Sequence, residues 1–109
     1  METNNRFLSF LGLARKAQKL SFGKDAVLEA VLKKKSKFVL FSSELSKKTM
    51  RTVTETLDRE NIHYIVTNVT MDEFSLILGK RSGIISVNDD NFAKKLSQLA
   101  KSNTDMEGF

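Results

Sequence analysis

The sequence predicts a single α/β domain, a three-layer α/β/α sandwich. Short apolar stretches of strand character alternate with longer stretches of helical period along the whole chain. Such alternation implies crossover connections that place helices on both faces of one sheet. No internal repeat, linker or low-complexity segment divides the 109 residues, a length that supports one core. The domain is expected over 1–101. The tail SNTDMEGF, 102–109, has no period and is expected to fray.

The elements follow in order. Phe7, Leu8, Leu11 and Ala14 recur at helical spacing, with Arg15, Lys16 and Lys19 on or near the polar side, so a first helix is expected over 4–18. KLSF, 19–22, is a short extended piece leading to Gly23. The second helix carries the stripe Ala26, Val27, Ala30, Val31. Its last turn is placed at Lys33, Lys34 and Lys35, where cations complement the negative end of the helix dipole. KFVLFSS is too short for a helix and apolar without alternation, which is how a strand covered on both faces reads.

Ser46 then caps a third helix with Met50, Val53 and Leu57 inward, ended by Asn61. IHYIV is the next strand. Thr70 with Glu73 makes a capping box for a short helix of Phe74, Ile77 and Leu78, and Gly79 is its left-handed stop. GIISV is the last strand. Asp89 or Asp90 caps a final helix with Phe92, Leu96 and Leu99 at i, i+4, i+7. The residues thus give three mainly parallel strands plus the KLSF piece, with Val39, Phe92 and Leu96 in the core.

Charge is unevenly spread. The net charge is +5, yet residues 1–40 carry nine Lys/Arg and three acids, and residues 41–109 nine basic and ten acidic groups. A basic first third on a near-neutral remainder is the usual footprint of a polyanion binder.

Catalytic chemistry finds little footing. There is no cysteine, hence no disulfide or thiolate site, and the lone histidine, His63, sits in a strand pattern without a serine partner. Asp89–Asp90 reads as a helix cap, GKRSG lacks the spacing of a phosphate-binding Walker loop, and no GxGxxG occurs. An enzyme has only the fold class in its favour, and fold alone assigns no function. No catalytic residue, metal or cofactor is expected. No apolar run approaches membrane-spanning length, and METNNRFLSF lacks a basic region followed by a long apolar one, so a cytoplasmic protein is expected.

The helix start at Gly23 is the more informative feature. The first turn of a helix has unpaired N–H groups and a positive dipole end, and glycine there lets a phosphate or sugar approach the backbone. Lys24 adds charge at that point, Lys19 lies upstream, and Arg15 and Lys16 can converge from the first helix. An ordinary helix start using glycine for its turn has the same sequence. LGKRSG, 78–83, is a second exposed element with two adjacent cations. Spacing leaves open whether the two share one side of the sheet.

FLGLARKAQKL, GKDAVLEAVLKKKSKFVLFSSELSKKT and LGKRSGIISVNDDNFAKKL, taken in that order, resemble the ribosomal-protein L-seven-Ae superfamily, closest to its short bacterial YlxQ-like branch. The similarity runs from Phe7 to Leu99. It implies a small α/β/α sandwich with a four-stranded mixed sheet that binds RNA kink-turns, sharply bent internal loops built on tandem sheared G·A pairs. The helix beginning at the family glycine would enter the widened major groove of the bend, since a regular A-form major groove is too narrow. A loop before the last strand would contact a flipped-out nucleotide. These elements match Gly23, Lys24 and Asp25 and the 78–83 loop.

The kink-turn signature after the glycine is roughly x-Asn-Glu-x-Thr-Lys, and this chain has Asp25, Ala26, Leu28 and Glu29 at those positions. Asp25 keeps an acceptor without the amide donor, Ala26 cannot accept from a guanine edge, and Glu29 reverses a charge. The resemblance therefore implies a basic surface that binds structured RNA by shape and charge. The expected contacts are Gly23, Lys24, Asp25, Lys19, Arg15, Lys16, Gly79, Lys80, Arg81 and Ser82. The expected protein is a non-catalytic, monomeric binder of structured, ribosomal or kink-turn RNA. The alternative is a small-molecule or protein-interaction domain that keeps the fold without RNA binding.

Overall fold

The computed structural model describes residues 2–108, with side chains described over 6–100. The chain runs α1 (Glu2–Lys16), β1 (Leu20–Phe22), α2 (Lys24–Leu32), β2 (Phe38–Phe41), α3 (Lys47–Arg59), β3 (Tyr64–Val66), α4 (Met71–Leu78), β4 (Ile84–Val87) and α5 (Asp90–Gly108). The strands form one sheet in the order β1-β4-β2-β3.

Only β2 and β3 are parallel; β4 is antiparallel to both of its neighbours. This corrects the mainly parallel sheet read from strand–helix alternation and agrees with the mixed sheet implied by the family resemblance. The reason lies in α4. A parallel β4 would require the chain to travel back the length of the sheet before entering it. Instead the chain leaves and re-enters at one end: the Met71 side chain occupies the space that a Cβ on Gly83 would take.

Alternate residues of β2 feed two cores, as strand pleating requires. Phe38 and Leu40, with Ile85 and Val87, meet Phe7, Leu11 and Ala14 of α1, Phe74 and Leu78 of α4, and Leu96 of α5. Val39 and Phe41, with Ile84, meet Val27 and Val31 of α2 and Val53 and Leu57 of α3. The layers are therefore helices, sheet, helices. Val39 and Leu96 are fully buried, as expected. Phe92 is only half-buried and lies beside Phe10, with ring centroids 5.1 Å apart. His63 is exposed and stacks on Phe38.

The expected caps are present. Ser46 Oγ accepts from Thr49 N–H, Thr70 and Glu73 form a reciprocal capping box, Gly79 is left-handed at φ 71°, and Asp89 Oδ2 accepts from Phe92 N–H at 3.0 Å. The lysine run is placed differently from the reading above. α2 stops at Leu32, and Lys33 is its C-cap. Lys34, at φ 63°, donates its N–H to Val31 O, and Lys35 donates to Ala30 O. This is a Schellman turn with lysine in the left-handed position that usually holds glycine. α1 and α3 end in the same way, with Gln18 at φ 61° and Asn61 at φ 59°. α5 continues to Gly108, past the boundary expected at 101, so the backbone of 102–108 is helical where no period was read. Among the described residues, no helix is long and apolar enough to cross a membrane.

Candidate nucleic-acid interface

β1, β2 and β3 all end, and β4 begins, at one end of the sheet. Gly23 N–H donates to Ile84 O at 3.0 Å, Ser42 N–H to Gly83 O at 2.9 Å, and Ser43 N–H to Val69 O at 3.0 Å. These bonds tie the start of α2, the 79–83 loop and the segments after β2 and β3 into a single surface. The two exposed loops therefore share one end of the sheet.

The start of α2 is built unlike the other helix starts with assigned caps. Gly23 has φ 89° and ψ 160°, a region essentially restricted to glycine. It offers no side-chain acceptor, so no side chain caps the first turn, whereas Ser46 and Thr70 cap α3 and α4. A Cβ at Gly23 would meet nothing within 4 Å. Uncapped N–H groups thus start at an open surface, with Lys24 and Asp25 exposed beside them.

The remaining signature positions face elsewhere. Ala26 is half-buried, and Leu28 packs against the α2–α3 core. Glu29 lies toward the other end of α2, paired with Lys33 at 2.8 Å. The Lys33 ammonium, through its hydrogen bond and its charge, holds the Glu29 carboxyl below the usual carboxylate range.

The 79–83 loop contributes unequally. Lys80 is exposed. Arg81 is exposed and paired with Asp72. Ser82 is buried, its hydroxyl donating to Ile84 O at 2.8 Å and accepting from Ile84 N–H, so it shapes the loop instead of facing outward. Arg15 reaches the loop from α1: its guanidinium lies 3.5 Å from where a Cβ on Gly79 would sit. Arg15 and Lys16 also line a groove of about 410 Å³ along the free edge of β1, with Gln18, Leu20 and Phe22. Lys19 does not join the site. Its carbonyl accepts from Asn88 N–H at the far end of β1, about 13 Å along the strand from Gly23 at the usual rise.

Two cations at this end were not singled out from the sequence. Lys47 and Lys48 are exposed in the first turn of α3, which starts just beyond β2 at the Gly23 end. Cations in a first turn oppose the helix dipole. That mismatch, placed directly after the Ser46 cap, was the available signal.

No family model matches the chain. The fold defines the class of the chain as a single α/β/α sandwich on a four-stranded mixed sheet. Within it, the RNA-binding protein YlxQ of Bacillus subtilis (strain 168) is 30% identical over 94 residues, 82% of this chain and 89% of that protein. The chain belongs to that L-seven-Ae-like family, in its YlxQ branch. A solved protein of unknown function from Bacillus halodurans is 28% identical with a TM-score of 0.82, covering 87% of this chain and 96% of its own. The Giardia lamblia 15.5kD RNA binding protein shares the fold, with a TM-score of 0.74 at 10% identity over 94% of this chain and 88% of its own.

Proposed function

We propose that this chain is a non-catalytic RNA-binding protein, monomeric and cytoplasmic, that holds structured RNA at the Gly23 end of its sheet. The observation that carries the reading is the uncapped, glycine-started α2, with Lys24 on it and Lys80 at the same end. Backbone N–H groups and the positive dipole end accept a phosphate, Gly23 leaves room for it, and the lysines add charge. The relative named as an RNA-binding protein supports the same reading. A bent RNA of the kink-turn or ribosomal kind offers the widened groove that an α-helix can enter. Of the side chains at the signature positions, Asp25 is the one able to read a base edge there.

A mobility-shift assay on a kink-turn and a plain hairpin tests this directly. Lys24→Ala is expected to weaken binding to both RNAs. Asp25→Asn removes a charge that repels phosphate and restores an amide donor. It is expected to strengthen binding, more for the kink-turn, by about 1 kcal/mol, the low end for a bidentate base contact. If both variants bind like the parent with unchanged circular dichroism, the start of α2 is not the RNA site, and a protein- or small-molecule-binding role replaces this reading.

A further inference from the structure

Much of the basic first third lies away from the Gly23 end. Lys19, Lys33, Lys34, Lys35 and Lys37 gather at the opposite end of the sheet, brought there from two segments of the chain. Lys19 O accepts from Asn88 N–H at 2.8 Å, and Lys37 N–H donates to Val87 O at 2.8 Å. The two lysines therefore flank the end of β4, on the strands either side of it, about 10 Å apart at ordinary strand spacing. Lys33, Lys34 and Lys35 close α2 at this end.

The dipole of α2 accounts for cations at Lys33 and Lys34. Lys19 closes the equivalent turn at the end of α1, its N–H donating to Ala14 O at 3.0 Å, whereas Lys37 stands just before β2, away from any helix end. Three of the five acids here are engaged. Glu29 holds Lys33 at 2.8 Å, Glu60 holds Lys34 at 3.0 Å, and the Asp89 carboxylate caps α5. Asp58 and Asp90 are exposed acids, as Arg59 is an exposed cation. Lys19, Lys35 and Lys37 are exposed and form no ion pair among the described residues.

The main chain that carries these lysines is fixed by the fold. Lys35 N–H and Ser36 N–H both donate to Ala30 O, at 2.8 and 3.1 Å. Beneath them runs a side-chain chain from Ser36 through Ser86 and Asn88 to Ser21, with contacts of 2.7, 2.7 and 2.9 Å. Neither turn uses glycine; Gln18 and Lys34 take the left-handed positions themselves.

We propose that this end is a second phosphate-contact surface, independent of the Gly23 end, through which one copy of the protein joins two RNA segments. The proposal rests on the RNA-binding reading above. An RNA partner fits better than a protein. Protein interfaces draw affinity from buried aromatic and arginine anchors. This end presents five lysines against one arginine, Arg59, and among its residues Leu32 is the exposed large apolar side chain. Lysines on flexible stems suit sequence-independent contact with an RNA backbone.

The test uses the full chain, a biotinylated kink-turn RNA on beads, and a dye-labelled plain hairpin in solution. Three proteins are compared: the parent, the triple variant Lys19→Gln/Lys35→Gln/Lys37→Gln, and the double variant Lys24→Ala/Lys80→Ala. The parent is expected to retain the dye-labelled hairpin on the beads. The triple variant is expected to bind the bead RNA within about twofold of the parent but to retain about tenfold less hairpin, since charge contacts to phosphate dominate such binding. Circular dichroism and sedimentation are run alongside. A parent that retains no hairpin overturns the proposal, as does a triple variant that retains it like the parent or bridging that requires a dimer. If the double variant leaves bead binding intact while the triple variant abolishes it, the Gly23-end reading fails, and the joining of two RNA segments is overturned with it, the lysine end then being the single RNA surface.

Discussion

The two ends of α2 carry positive charge by opposite constructions. At Gly23 no side chain caps the first turn, and the charge comes from the dipole with Lys24 beside it. At Lys33–Lys35 the turn's backbone N–H groups are bonded, and the charge comes from side chains. The first arrangement is sensitive to shape, because a ligand must come within hydrogen-bond distance of the main chain. The second is sensitive to ionic strength and tolerant of sequence. One nine-residue helix thus separates a geometric contact from an electrostatic one.

Three substitutions probe how the two ends depend on the fold. The largest effect is expected from Leu96→Ala, which empties a fully buried site on the face away from α2. Such truncations cost about 2–5 kcal/mol. Because both ends hang on one sheet, RNA binding at each should disappear over the same thermal transition. If one end's binding outlasts the melt, the ends do not belong to one cooperative unit.

Next is Gly23→Val. The backbone at φ 89° and ψ 160° would be strained by any Cβ, although open space surrounds it. A stability loss of about 1–3 kcal/mol in urea unfolding is expected. Gly23→Ala should lose nearly as much, since strain and not crowding is the cause. A Val variant far worse than Ala would point to a steric clash at this end and contradict the open surface. Smallest is Lys34→Gly. Relief of the left-handed strain, offset by greater freedom of the unfolded chain and loss of the Glu60 pair, leaves a gain of about 0.5 kcal/mol. Calorimetry reporting a clear loss would mean that the pair with Glu60 matters more than the turn.

Much of this architecture is legible along the chain because the signals are local. Ser46, Thr70 with Glu73, Gly79 and Asn61 mark helix boundaries through their own hydrogen-bonding or left-handed preferences, and the structure has each in that role. The apolar runs of β2 and β4 announce strands buried on both faces. Strand direction is not a local property. It depends on where α4 returns the chain, which no residue between Thr70 and Ile84 spells out. The site divides along the same line. Gly23 and Lys24 are found by their own chemistry, whereas Lys19 is near Gly23 in sequence and remote from it along β1. Ser82 reads as an exposed loop serine until the fold turns its hydroxyl onto Ile84. Lys47 and Lys48 join the Gly23 end through the path of β2, with no sequence proximity to it.

The position of β4 also governs the order in which the domain can assemble. Leu20 pairs with Val87 and Phe22 with Ile85, and β4 lies between β1 and β2. Until β4 is synthesised, β1 has no partner, and the sheet consists of β2 with β3 alone. Contacts so distant in sequence slow folding, because a long loop must close before they form. A nascent chain interrupted before Ile84 would leave Leu20, Phe22 and the inner faces of α1 and α2 without the strand that joins them. Such a fragment is a substrate for proteases and chaperones instead of a partly working binder. The Gly23 end is therefore completed by the last strand made, although Gly23 and Lys24 belong to the first quarter of the chain.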